Sequence, residues 1–297
     1  LLIVTSHLHV YMLEKRLMDK VNIAIVGHGY VGKAVEYGFN TSSVNQYIID
    51  PIYNKGMETI KDVKIDVAFV CVPTPFGSDG KIDSSIVEKV VGELKSKNCV
   101  IAIKSTVTPD IVTKLHEENN KVVYNPEFLT EQNALEDFVN PPMHVFGGEK
   151  EYCHYLWTLY IDHSRCKDTT TRSYYLTPAE ASFVKYGINS FLASKVLWFN
   201  QFADLCDKYN VKYNAVTSAM MTDKRIGNSH MTVPGPDGRK GYGGACFPKD
   251  TNAFSKFANG DFTLLDLVIE ENNKYRSEYM LDDREKEQNV VYMRSKI

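Results

Sequence analysis

The sequence contains no CxxC pair. Its six cysteines stand apart at positions 71, 99, 153, 166, 206 and 246. That scatter argues against a zinc site and against a disulfide framework, and no metal is expected. It fits reduced thiols in a cytoplasmic protein, with room for one reactive cysteine. Basic charge is not in excess: 34 Lys and Arg against 37 Asp and Glu leave a net charge of −3. Nothing therefore points to nucleic acid, and an anionic ligand must be held by a few placed donors. The apolar start, Leu1-Leu2-Ile3-Val4, is far too short to span a bilayer and lacks a basic leader, so no membrane partner is expected. Residues 1–18 are read as an extension of unknown role, with His7 and His9 as solvated side chains. Internal repeats and low-complexity tracts are also lacking.

What remains is a chain of 297 residues, 43% hydrophobic, enough for two cored domains. In the first half, apolar runs alternate with amphipathic stretches. Asn22–Gly27, Gln46–Asp50, Val67–Val72, Val100–Ser105 and Lys121–Tyr124 read as buried strands, with a further strand at Val145–Gly148. Ser84–Lys97 reads as a helix, and Thr108-Pro109 opens another, with Thr108 as N-cap. Strand–helix alternation predicts an α/β fold, a doubly wound parallel sheet covered on both faces. The pattern changes near residues 171–177. Thr177-Pro178-Ala179-Glu180 is a capping box, and a long helix follows from Ala181 to about Tyr209. A Gly- and Pro-rich loop spans Val233–Gly244, helix resumes after Pro248, and residues 262–283 read as one more long helix that grows charged toward its end. The expected division is 19–174 for the sheet domain, 175–260 for an all-helical domain, and 261–297 for a long helix and charged tail.

Gly27-His28-Gly29-Tyr30-Val31-Gly32 is a GxGxxG that leaves one strand and opens a helix. Its glycines permit a tight turn and close approach of backbone to a pyrophosphate, which the helix N-terminus would attract. Asp50 ends the next strand eighteen residues later; a carboxylate there accepts from ribose hydroxyls and repels a 2′-phosphate, favouring NAD over NADP. His28 is read as a spacer whose backbone matters. Val72-Pro73-Thr74-Pro75 stiffens another strand end of the kind where ligands bind in open α/β sheets.

Gly241-Tyr242-Gly243-Gly244-Ala245-Cys246-Phe247-Pro248-Lys249-Asp250 carries the most chemistry. Glycines bring backbone close to a ligand, and Cys246 sits just before a helix start, a place that favours thiolate. Asp250, four residues on, can orient a base or a water. Lys185 and Asn189, at i and i+4, share a helix face and could hold an oxyanion; taken alone they read first as a solvated surface pair. Lys104-Ser105-Thr106 and Asn125-Pro126-Glu127-Phe128 end two further strands, where Thr106 could place a water and Glu127 could take its proton.

Together these segments resemble the UDP-glucose/GDP-mannose dehydrogenase family, in chain order from about Val21 to about Arg276: GHGYVG, Asp50, VPTP, KSTV, NPEF, the Lys185/Asn189 helix, Arg225-Ile226-Gly227 and GYGGACFPKD. The last is the most specific, and its ACFPKD form resembles the UDP-glucose members most. The resemblance implies a Rossmann-like domain followed by a helical central dimerisation domain. It implies a four-electron oxidation of a UDP-sugar by two NAD in succession, through a thiohemiacetal and thioester on Cys246. Lys185, Asn189 and Asp250 would support oxyanion and water, and Glu127 and Thr106 would serve proton transfer and water placement. Implied cofactor contacts are Gly27, Gly29, Tyr30, Val31, Gly32, Asp50, Lys55, Val72, Pro73, Thr74, Ser105, Thr106, Glu131 and Lys249. Implied substrate contacts are Glu127, Phe128, Leu129, Lys185, Asn189, Tyr242, Gly243 and Arg225, the last reached across a homodimer interface. The aromatic stretch around Phe183–Phe202 also reads as such an interface.

The family pattern continues into a second Rossmann-like domain that grips the uridine diphosphate. Asp282 to Ile297 is too short and too charged for it, so a chain lacking that domain is expected. The segment Thr232–Lys240 lengthens the loop before GYGG and is read as a candidate lid. His144 stands where the family has Arg, and His230 where an aromatic is common. Two other readings stay open: a two-electron NAD-dependent alcohol or hydroxyacid dehydrogenase, and an NAD-binding module without turnover.

Overall fold

The computed structural model describes residues 20–77, 80–130, 133–166 and 170–292. The extension before residue 20 and Glu131 lie outside them. The chain divides into two compact units: one holds the chain up to Pro73 together with Ser84–Phe183, and the other holds Thr74–Asp83 and Val184 onward.

The first unit is built on a seven-stranded sheet of order β2-β1-β3-β4-β5-β6-β7. The strands are β1 Val21–Val26, β2 Val44–Ile49, β3 Val67–Val70, β4 Val100–Ile103, β5 Val122–Tyr124, β6 His144–Gly147 and β7 Ser173–Leu176. β1 to β5 pair in parallel, and every residue of β3, β4 and β5 is buried, as two covered faces require. Two features depart from an all-parallel sheet. β6 joins β5 antiparallel through the single pair Tyr124↔Gly147, and β7 then runs parallel to β6. β7 occupies residues the sequence reads as a boundary. It is a four-residue edge strand whose Tyr174 and Tyr175 are exposed, so it carries no buried-run signal.

The crossovers are helices α1 Tyr30–Phe39, α2 Ser85–Leu94, α3 Pro109–Glu118, α4 Ala134–Val139 and α5 Lys150–His163. Apolar faces of α1 and α5 close over Ile23, Ile25, Phe69 and Phe146. The Phe39 ring lies 5.1 Å from those of Phe69 and Tyr160. Because the chain leaves β1 toward β2 on one side and β3 lies on the other, the order reverses between β1 and β3. Their carboxyl ends frame the crevice where open α/β sheets bind ligands.

α6, Pro178–Lys208, is a helix of 31 residues, about 46 Å long. The capping box at its start is present: Glu180 N–H donates to Thr177 Oγ1 (3.3 Å) and Thr177 N–H to Glu180 Oε2 (2.8 Å). The second unit continues with α7 Tyr213–Met220, α8 Phe247–Ala258, α9 Thr263–Arg276 and α10 Asp283–Glu287. Ala193, Leu197, Tyr242 and Val268 form its core. The long helix expected over 262–283 is two elements. α9 ends at Arg276, and a new capping box restarts the chain: Glu285 N–H donates to Asp282 Oδ1 (2.9 Å) and Asp282 N–H to Glu285 Oε2 (2.9 Å). Among the described residues no helix is long and apolar enough to cross a membrane.

Candidate functional site

The glycine turn of the first unit sits at the β1–β3 crevice. Gly27 has φ +87°, and a Cβ there would stand 2.7 Å from the carbonyl carbon and oxygen of Cys71 at the end of β3. On Gly32 a Cβ would meet Gly27 O at 2.1 Å. These two glycines are demanded by backbone packing. Gly29 differs: it is exposed, and a Cβ there would meet nothing within 4 Å. The space above it, at the N-cap of α1, is what a pyrophosphate needs. Tyr30 and Val31 follow in the first turn, both half-buried.

Asp50 closes the turn. Its Oδ2 accepts from His28 N–H at 2.6 Å and its Oδ1 from Ile52 N–H at 2.9 Å. Each carboxylate oxygen keeps a lone pair for a ribose hydroxyl. Lys55 is exposed and bridges back to Asp50 through backbone. His28 is more than a spacer: its ring nitrogens bond Glu36 Oε2 (2.8 Å) and Tyr53 Oη (3.1 Å). Ser105 Oγ donates to Val72 O at 2.7 Å, fixing the start of the Val72-Pro73 loop. Thr74 is buried.

Thr106 and Glu127 follow β4 and β5, and both are buried. Glu127 Oε2 accepts from Leu129 N–H at 2.7 Å, and Phe128 and Leu129 are half-buried beside it. Beneath them lies a small cavity lined by Lys104, Asn125, Glu127, His144 and Tyr160, among others. Asn125 Oδ1 accepts from Tyr160 Oη (2.8 Å) and Lys104 Nζ (3.2 Å).

His144 is 5% exposed, and its Nε2 has no hydrogen-bond partner among the described residues. Burial, then the Lys104 charge, push its pKa down to about 4. Between pH 6.5 and 4 the unfolded chain therefore binds a proton that the folded one refuses, so stability falls as pH falls through that window. The loss is at most about 3 kcal/mol. His144→Leu should flatten this slope in denaturant titrations at pH 7, 5.5 and 4. An unchanged slope would assign the pH dependence elsewhere.

The second unit gathers Lys185, Asn189, Cys246, Lys249 and Asp250. Lys185 and Asn189 are buried on α6, so they are not a solvated surface pair. Asn189 Nδ2 donates to Asp250 Oδ2 at 2.6 Å, and Lys249 Nζ pairs with Asp250 Oδ1 at 2.5 Å. The Lys249 ammonium, implied as a cofactor contact, is thus committed to a carboxylate that is 1% exposed. Removing either partner would leave a buried charge uncompensated. Cys246 is the N-cap of α8, and its carbonyl accepts from Asp250 N–H at 2.9 Å, which puts the thiol one turn before the carboxylate. Cys246 is partly exposed, whereas the other five cysteines are buried. Burial pushes the Cys71 and Cys153 thiols up to about 12 and that of Cys99 up to about 11, leaving them as inert apolar side chains.

Tyr242 and Gly243 belong to the same loop. Tyr242 N–H donates to Asn272 Oδ1 (2.7 Å). Arg225 stands apart on an exposed turn, bonded to Asp223. Sequence reasoning missed Glu36, Tyr53 and Asn272, whose partners lie 8, 25 and 30 residues away. The loop Thr232–Lys240, read from sequence as a candidate lid, is tied down through Asp237 and Arg239: Arg276 Nη1 donates to Asp237 Oδ2 (2.7 Å) and Arg239 Nη1 to Met280 O (2.8 Å).

The chain is similar to known proteins over both units. Residues 52–162 match the NAD binding domain of the UDP-glucose/GDP-mannose dehydrogenase family, and residues 179–274 match its central domain. A UDP-glucose 6-dehydrogenase of Rickettsia bellii is 34% identical over 73% of this chain and 51% of its own length. That of Rickettsia typhi is 30% identical over 85% of this chain and 67% of its own. The chain spans about half the length of the first of these. The structure of a UDP-glucose dehydrogenase from Pyrobaculum islandicum superposes with a TM-score of 0.71 at 26% identity, over 86% of this chain and 68% of that one. Two consecutive domain matches, a sheet with its glycine turn at the β1–β3 crevice and a helical unit bearing the cysteine loop give one conclusion: the chain belongs to the UDP-glucose/GDP-mannose dehydrogenase family and carries its NAD-binding domain.

Proposed function

We propose that this chain oxidises the primary alcohol of a UDP-sugar, UDP-glucose, to the carboxylate, with Cys246 as covalent nucleophile. The observation that carries the proposal is the placement of Cys246: a partly exposed thiol at a helix start, one turn before an Asp250 that is itself bonded to Asn189.

Roles divide by unit. In the first, Gly27, Gly29, Tyr30, Val31, Gly32, Asp50, Lys55, Val72, Pro73 and Ser105 would hold NAD. When bound, NAD supplies the hydride acceptor for both oxidations. Glu127 takes the alcohol proton, and Thr106 places a water. In the second, the Cys246 sulfur bonds to the aldehyde carbon to give a thiohemiacetal. Lys185 and Asn189 hold the resulting oxyanion. Loss of a second hydride leaves a thioester, and water oriented by Asp250 hydrolyses it and frees the thiol. Alcohol, two NAD and one water become carboxylate, two NADH and three protons. The covalent link splits a difficult oxidation and keeps the aldehyde from escaping. Phe128, Leu129, Tyr242 and Gly243 would line the sugar.

We also propose a homodimer in the cytoplasm. Its face is a stripe on α6, where Phe183, Phe191, Trp198 and Leu205 are 50–68% exposed at spacings of seven or eight residues, with an exposed Tyr209 just past the helix end. Arg225 would serve a partner copy's substrate. A monomer in sedimentation at micromolar concentration would remove the dimer and that role.

The deciding experiment incubates the protein with UDP-glucose and NAD and counts NADH. Two per sugar are expected. One per sugar would make it a two-electron dehydrogenase, and NAD binding without UDP-glucose binding would reduce it to a cofactor-holding module.

A further inference from the structure

The charged segment after α9 does not trail into solvent. Glu285 is 0% exposed and Arg276 1% exposed, and their side chains meet, Arg276 Nη2 to Glu285 Oε1, at 2.6 Å. Arg276 Nη1 pairs with Asp237 Oδ2 at 2.7 Å, and Arg239 Nη1 lies 3.7 Å from Glu285 Oε2. Tyr292 Oη donates to Glu285 Oε1 at 2.7 Å, and its ring lies 5.6 Å from the Arg276 guanidinium. Two cations and two anions thus balance in a cluster whose inner pair, Arg276 and Glu285, is buried, while Asp237 is exposed and Arg239 half-buried. Buried charges are tolerated only while paired, so Arg276 and Glu285 each depend on the other to stay in place.

This cluster lies against the loop that carries the cysteine. A Cβ on Gly243 would stand 2.1 Å from Arg276 Nη2 and 2.6 Å from Glu285 Oε1, so glycine is what lets the guanidinium slide under the loop backbone. Gly244 N–H donates to Glu285 Oε1 at 3.3 Å. One turn back on α9, Asn272 brackets Tyr242: its Oδ1 accepts from Tyr242 N–H and its Nδ2 donates to Tyr242 O (3.0 Å). Three consecutive residues, Tyr242 to Gly244, are therefore fixed by α9 and the segment behind it, two residues before Cys246. The same segment reaches a second loop of its unit, where Phe76 N–H donates to Gln288 O at 2.9 Å, just past Thr74-Pro75. Arg276, Glu285 and Tyr292 all lie beyond the residues matched by the central-domain family model, which end at 274.

We infer that Asp282–Tyr292 is a clasp for the nucleophile loop, with Arg276 and Glu285 as positioning residues for Cys246. The lengthened loop 232–240 is part of this clasp, supplying Asp237 and Arg239. The inference rests on the reading of Cys246 as nucleophile.

Hydrogen exchange on the full chain tests it without turnover. In Glu285→Gln the amides of Tyr242, Gly243 and Gly244 should exchange at least about tenfold faster, while those of β1 to β5 keep their rates. Asp237→Asn, at the more exposed end of the cluster, should give a smaller change in the same direction and serves if Glu285→Gln does not fold. Lys286→Ala, on an exposed side chain of the same helix, should change nothing. Steady-state kinetics should then show kcat down about tenfold in Glu285→Gln with KM for NAD unchanged, a split that general destabilisation would not produce. Unchanged loop exchange in both cluster variants overturns the clasp. Faster exchange with unchanged kcat overturns the positioning role. In that case full activity in Cys246→Ser would place the fault in the nucleophile reading, and lost activity would place it in the clasp.

Discussion

Cys246→Ser is expected to lower the overall oxidation rate by about three orders of magnitude or more, on the scale seen when a covalent nucleophile is removed. A serine hydroxyl at the same N-cap is nearly isosteric, so the fold should hold. Its oxygen is far less ionised than a thiol near neutral pH, so attack on the aldehyde fails for lack of nucleophile. The Asn189–Asp250–Lys249 set does not involve the sulfur and should persist. NAD affinity should not change, because the glycine turn and Asp50 belong to the other unit. The readouts are NADH per sugar, which should fall below two, and calorimetric NAD binding. Full activity in Cys246→Ala would end the covalent proposal. Loss of NAD affinity in Cys246→Ser would mean that the substitution acts through the fold.

The glycine turn after β1 and the helix start at Cys246 were legible in the sequence because their signals are local. A glycine at positive φ, a proline at the first turn of a helix and a cysteine before a helix start declare themselves within ten residues. The buried runs of β1, β3 and β4 likewise reveal a covered parallel sheet. What escaped depends on partners far along the chain. The antiparallel turn of the sheet at β6 rests on one pair, Tyr124↔Gly147, that no local pattern encodes. The break after Arg276 was readable in part, since Asp282-x-x-Glu285 is a capping box, but helical periodicity on both sides hides it. The ion cluster was not readable. Asp237 and Arg276 are 39 residues apart, and a charged tail looks the same in sequence whether solvated or buried. Lys185 and Asn189 show the same ambiguity, since only the fold separates a buried pair from a surface one.

The cofactor assignment rests on glycines that differ in what they tolerate, and the difference gives the last prediction. Gly27→Ala should damage the fold. It forces a side chain into φ +87° and drives a methyl to 2.7 Å from the Cys71 backbone, where neither strand end can yield. The cost is on the order of 3 kcal/mol, with NAD binding lost as a consequence of the displaced turn. Gly29→Ala meets open space at φ −76°, so stability should change by no more than about 0.5 kcal/mol. The added methyl projects into the volume over the α1 N-terminus where a pyrophosphate would seat. NAD affinity should fall at least about tenfold, or 1.4 kcal/mol. A melting curve and a calorimetric titration on each variant separate the two effects. Undiminished NAD binding in Gly29→Ala would show that the dinucleotide does not seat over this turn. An unperturbed melting temperature in Gly27→Ala would show that the turn after β1 does not pack tightly against the Cys71 backbone.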